Sequence, residues 1–136
     1  MPAYDLCERT FEFSLAILTL WQKVIKVRGF PRPLANQLLR SGTSIGANVE
    51  EGRAGQSKPD FISKYSIARK EARETSYWLR MMVASNLVTE TDGRPLIKEA
   101  EEIISILTAI IKKTKGINTK YEERSTKSEK RPPDTQ

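Results

Sequence analysis

Residues 57–88 read SKPDFISKYSIARKEARETSYWLRMMVASNLV, and this stretch decides the fold class. Ser57-Lys58-Pro59-Asp60 supplies a cap, an early proline and an acid three residues after the serine, which together mark a helix start. From there Phe61, Tyr65, Ala68, Ala72, Thr75, Leu79 and Met82 keep a 4-3-4-3-4-3 spacing, so one face of a long helix is apolar. No strand-like alternation competes with that period.

The same period recurs on both sides. Leu6, Phe13, Ile17, Leu20, Val24 and Val27 form the core line of a first helix, expected over about 6–28 and ended by Gly29 and Pro31-Arg32-Pro33. Leu34, Leu38, Ile45 and Val49 define a second, over 34–54, with Gly55 as its stop. The third spans 58–88, and Asp92-Gly93 reads as a turn. Pro95 opens a fourth over 95–115, with Leu96, Ala100, Ile103, Leu107 and Ile110 facing inward. These spacings predict an all-α chain forming an antiparallel up-down four-helix bundle over 1–115.

The chain has 136 residues, of which 38% are hydrophobic and 29% charged. That is enough for one domain with a core and too little for two. No apolar run approaches the length of a membrane span. The first residues include Asp5 and lack the basic start and apolar stretch of a secretory signal, so the cytoplasm is the expected compartment. Formal net charge is +6, and residues 112–136 carry eight Lys/Arg against four Asp/Glu, leaving +2 for the rest. Residues 116–136, with Ile117 and Tyr121 as their only sizeable apolar groups, read as a basic tail too polar to order itself.

With no histidine and one cysteine, Cys7, the chain has neither a His-based catalytic pair nor an internal disulfide. Di-iron bundles need Glu-x-x-His repeats, so Glu50-Glu51 does not make such a site. Gly42-Thr43-Ser44-Ile45-Gly46 lacks the Gly-Lys-Ser/Thr of a phosphate loop. No catalytic residue, metal or cofactor is expected.

Three surface patterns remain. Cys7, Phe11, Leu18 and Ile25 form a second apolar line on the first helix, and Ile67, Trp78 and Met81 lie off the heptad line of the third. Phe11, Leu18, Ile67, Trp78 and Met81 are therefore candidate oligomer-interface residues, with scattered surface apolar groups as the bland alternative. Gln37, Ser41, Ser44, Asn48 and Glu51 run beside the apolar line of the second helix, and Glu71 sits at the core edge of the third. Ser44, Asn48, Glu51 and Glu71 are read as a structural polar network; a ligand-binding or catalytic bundle using Asn48, Glu51 and Glu71 is the alternative. Arg69, Lys70, Arg73 and Arg80 make a basic outer face, for which surface pairing such as Lys70 with Glu74 is the simpler reading.

The block from Ser41-Gly42-Thr43-Ser44-Ile45-Gly46-Ala47-Asn48-Val49-Glu50-Glu51-Gly52 through Ser57-Lys58-Pro59-Asp60-Phe61 to Ile67-Ala68-Arg69-Lys70-Glu71-Ala72-Arg73-Glu74-Thr75-Ser76-Tyr77-Trp78-Leu79-Arg80 resembles the bacterial family encoded in intervening sequences of 23S ribosomal RNA genes. That family also includes the accessory protein of diversity-generating retroelements. The resemblance covers roughly Leu6 to Lys115. It implies four helices assembling into a ring-like homopentamer without enzymatic activity. It further implies, from the retroelement members, binding of RNA or DNA alongside a reverse transcriptase or other protein. Carried over, the bundle contacts would be Arg40, Arg69, Arg73 and Arg80, whereas the local charge balance favours Lys112, Lys113, Lys115, Lys120 and Arg124. Any such binding is expected to be weak and sequence-independent.

Overall fold

The computed structural model describes the backbone of residues 3–129 and the side chains of residues 6–116. It contains α1 (Ala3–Val24), α2 (Arg32–Arg53), α3 (Lys58–Ala84) and α4 (Glu90–Glu129), with no strand among the described residues. Successive helices run antiparallel, as the residues they bring together show. Gly46 meets Thr10 while Gly42 meets Ile17 on α1, Gly52 meets Tyr65, and Ser41 meets Thr75 on α3. Arg69 reaches Thr108 of α4, and Val83 touches Gly93. The bundle closes where α4 returns to α1, through a shorter seam held by Arg9 with Glu99 and Glu102 and by Lys23 with Asp92. Arg9 donates from Nε and Nη2 to both Glu99 oxygens at 2.6 and 2.8 Å, and these hydrogen bonds push its pKa still higher than usual. Arg9 therefore stays charged at any accessible pH.

The core line of α3 is realised from Tyr65 to Met82, all buried, while Phe61 is half-buried and stacks on Tyr65. Gly42 and Gly46 explain themselves by packing. A Cβ on Gly42 would stand 2.8 Å from Ile17, and one on Gly46 would stand 3.2 Å from the Thr10 backbone. The helix-propensity penalty of about 1 kcal/mol per glycine is offset by the close approach of α1 and α2.

Helix ends differ from the sequence reading, each for a local reason. α1 stops at Val24, because Lys26 and Val27 bond three residues back to Lys23 and Val24 and tighten the chain out of the helix. Val27 is left 55% exposed and Phe30 takes its place in the core. α3 ends at Ala84, not 88, where Asn86 adopts φ 66° and Leu87 N–H bonds to Met82 O five residues back. This is the left-handed C-cap that asparagine tolerates. α4 starts at Glu90, five residues before Pro95, because Thr89 Oγ1 accepts from Asp92 N–H at 3.1 Å and caps it. Asp92-Gly93 is thus helix, with Gly93 pressed so close to Val83 that a Cβ would sit 2.3 Å away. At its other end α4 runs past Gly116 to Glu129, where the sequence reading places the start of an unordered tail. Gly116 has no positive φ to end the helix. The side chains of residues 117–136, Lys120 and Arg124 included, lie outside the described residues.

Candidate interaction surfaces

The α2–α3 seam gathers a different polar group from the one the sequence suggests. Ser44 Oγ donates to Arg40 O at 2.6 Å and Asn48 Nδ2 to Ser44 O at 2.9 Å, so both side chains return to their own helix. Glu51 is exposed beyond them. No hydrogen bond joins Ser44, Asn48 or Glu51 to Glu71 among the described residues. Glu71 instead belongs to a cluster around Arg40. The Arg40 guanidinium donates to Glu71 Oε1 at 3.1 Å, to Glu74 Oε2, and through Nε to Gln37 Oε1 at 3.0 Å. Trp78 Nε1 donates to the same Glu74 oxygen at 3.1 Å. Beneath this cluster Thr75 and Ser41, both buried, share a hydroxyl bond of 2.8 Å. The spacing of Glu71 and Glu74 signals two acids on one side of α3, but only the packed pair shows that Arg40 lies opposite them.

This cluster has a measurable expectation. Glu71 is only 12% exposed, and Arg40 is the partner that satisfies its carboxylate on the α2 side. Glu71→Ala is expected to lower the unfolding free energy by about 1–3 kcal/mol in urea. Arg40→Ala should show a comparable loss, and the double variant much less than the sum. Additive losses would mean that the pair does not act as a unit.

Of the surface dents, one of about 410 Å³ lies at the α2–α3 turn and includes Glu51, Gly55, Ser57 and Asp60. Another, of about 260 Å³, lies between α1 and α2 beside Phe11, Ser14, Ala47 and Glu50. Among the described residues no group of three His, Cys, Asp or Glu side chains is placed to hold a metal ion. Among the same residues no helix is long and apolar enough to cross a membrane.

The apolar side lines divide. Cys7 and Ile25, at the two ends of the α1 line, are half-buried against the core, whereas Phe11 and Leu18 are 55% and 37% exposed and are joined by Leu15 at 49%. The result is a short stripe at i, i+4 and i+7. On α3, Ile67 and Met81 are exposed and Trp78 is half-buried.

The basic residues also separate. Arg40 is committed to carboxylates, and Arg69 reaches Thr108 Oγ1 at 3.5 Å. Arg80 donates to Ser76 Oγ at 3.2 Å, while Arg73, Lys112, Lys113 and Lys115 are exposed. Tyr77, which the sequence reading did not single out, is 51% exposed beside Arg80.

Taken together these features define a helical bundle whose distinctive chemistry lies on its outer faces. The profile of the 23S rRNA-intervening sequence protein family matches residues 3–109, and the chain belongs to that family. It is also similar, at 36% identity and a TM-score of 0.75, to a protein with unknown function from the S23 ribosomal protein family of Bacteroides thetaiotaomicron VPI-5482, known from a 1.70 Å crystal structure. That similarity covers 79% of this chain and 98% of the other. None of the curated proteins matches.

Proposed function

We propose that this chain is a non-enzymatic, self-assembling scaffold that acts in the cytoplasm as an accessory to another macromolecule. The observation that carries this reading is two exposed apolar patches, the stripe Phe11-Leu15-Leu18 on α1 and, on α3, Ile67 and Met81 flanking the half-buried Trp78. Apolar groups in such stripes gain free energy by leaving water, at about 25 cal/mol per Å². Two different patches on one subunit favour head-to-tail association, which closes into a ring when the rotation permits. The family resemblance supports five subunits. The catalytic alternative draws less support, because Ser44 and Asn48 bond back to their own helix and Glu71 bonds to Arg40, so Asn48, Glu51 and Glu71 do not form one cluster.

Light scattering on the full chain tests the reading. A mass several times 15.5 kDa at micromolar concentration is expected; a monomer mass would overturn it.

A further inference from the structure

One corner of the bundle holds a polar group that packing alone does not require. Tyr65 is fully buried, and its hydroxyl has no hydrogen-bond partner. Phenylalanine would fill the same space without the cost of desolvating that oxygen. The Tyr65 ring lies against Gly52, so closely that a Cβ there would stand 2.8 Å from Cδ1. The next residue, Arg53, reaches across to α1 and donates from Nη1 to the Cys7 sulfur at 3.9 Å. Among the described residues no carboxylate pairs with Arg53, and Cys7 is the one thiol of the chain. Cys7 is half-buried and Arg53 exposed, so a small reagent can approach the sulfur past the guanidinium. Both Cys7 and Arg53 act electrostatically on the Tyr65 phenol, so the orphaned hydroxyl shares this corner with the sulfur and the cation.

We propose that Cys7 is a modification site, oxidised by hydrogen peroxide to a sulfenic acid that Arg53 and the Tyr65 hydroxyl hold. A sulfur electron pair attacks one peroxide oxygen, so that an S–O bond forms while the O–O bond breaks. Sulfur loses two electrons and the peroxide gains them. The departing hydroxide takes up the proton given off by the thiol and leaves as water. Arg53 supplies an N–H where negative charge gathers on that departing oxygen. The oxygen that stays on sulfur is an acceptor, and Tyr65 supplies a buried donor with no other acceptor to serve. A cysteine that only fills apolar space has neither group beside it. Sulfenic acids otherwise condense with a second thiol or take up more oxygen. With no second cysteine in the chain the internal disulfide is closed off, so how firmly the acid is held decides its lifetime. The site goes beyond the assembly reading and does not depend on it.

The test is mass spectrometry of the full chain treated with hydrogen peroxide, the sulfenic acid being trapped with dimedone. Cys7 is expected to gain one oxygen, reversibly with dithiothreitol, and to react faster than in the same chain unfolded by urea. Arg53→Ala should slow that step at least about fivefold, the worth of one hydrogen bond, with Arg53→Lys restoring part of it. Iodoacetamide, which alkylates the thiol with no O–O bond to break, should be slowed far less. Tyr65→Phe, expected to keep the fold, should leave the first step intact and shorten the life of the sulfenic acid at least about fivefold. The parent should also gain thermal stability on oxidation, and the Tyr65→Phe chain should not. Oxidation no faster than in the unfolded chain, equal slowing of peroxide and iodoacetamide by Arg53→Ala, or a lifetime indifferent to Tyr65→Phe would each overturn the proposal. So would a disulfide joining two chains in place of a trapped sulfenic acid. Light scattering of the parent and Cys7→Ser chains reports on assembly separately, so the failure of one reading is not mistaken for the failure of the other.

Discussion

Tyr65→Ala is expected to lower the unfolding free energy by about 3–5 kcal/mol, in the range of large aromatic deletions from a core. Tyr65 is fully buried, stacks on Phe61 with centroids 4.1 Å apart, and is flanked on α2 by Gly52, whose missing side chain lets the ring lie directly against the helix. Removing the ring opens a space beside Gly52, which has no side chain of its own to fill it. Tyr65→Phe should behave in the opposite way. The Tyr65 hydroxyl is buried without a hydrogen-bond partner, so its loss is expected to be neutral or to stabilise by about 1 kcal/mol, since the desolvation of an unpaired group disappears. Chemical denaturation of the two variants beside the parent checks both.

The same hydroxyl gives a pH signature. Burial pushes the Tyr65 phenol up from its ordinary value of 10.0; nearby Cys7 acts in the same direction and Arg53 opposes it. Above that ordinary value the unfolded phenol loses its proton while the folded one keeps it. The unfolded state then binds fewer protons, so stability falls as pH rises past about 10 and levels off beyond the folded pKa. Tyr65→Phe should lack this component. If parent and variant lost stability in parallel above that pH, the phenol would not be its source.

Most of the architecture could be read from periodicity, because packing enforces it. The α3 line from Tyr65 to Met82 is buried as its spacing requires, and the Ser57 cap accepts from Asp60 N–H at 3.1 Å. What escaped reading was governed by tertiary packing or by signals that pull in opposite directions. Asp92-Gly93 is turn chemistry locally, yet both residues lie inside α4, where the glycine serves packing because Val83 and Val88 occupy the place of a side chain. Thr89 and Asp92 form the cap, although Pro95 is the stronger local mark of a helix start in the sequence. The polar stripe of α2 was visible as a pattern, but its partners were not. Ser41 turns inward to Thr75, Ser44 and Asn48 fold back on their own helix, and Arg40 reaches across to Glu71 and Glu74. Interhelical register decides which of these occurs, and no single helix encodes it. Trp78 shows the same limit: its indole N–H binds Glu74, so a residue off the heptad line becomes half-buried.

Mixing two assembly-deficient variants is expected to produce a dimer and nothing larger. Phe11→Glu with Leu18→Glu spoils the α1 stripe, and Ile67→Glu with Met81→Glu spoils the α3 stripe; all four positions are at least 36% exposed, so the fold should tolerate the charges. Each charge must be desolvated if the interface is to form, a penalty of several kcal/mol per ion that an apolar interface does not repay. Either double variant alone should therefore run as a monomer by sedimentation. Under head-to-tail assembly, the first variant keeps an intact α3 stripe and the second an intact α1 stripe. Those two faces meet when the variants are combined, while the spoiled faces terminate growth on both sides. An interface built from α1 against α1 gives a different result, because the second variant then self-associates alone and gains nothing from the first. Retention of the parent mass by both variants would remove these stripes from the interface altogether. The mixed sample separates head-to-tail from face-to-face packing without a structure of the assembly, because a closed ring requires each subunit to present two different surfaces.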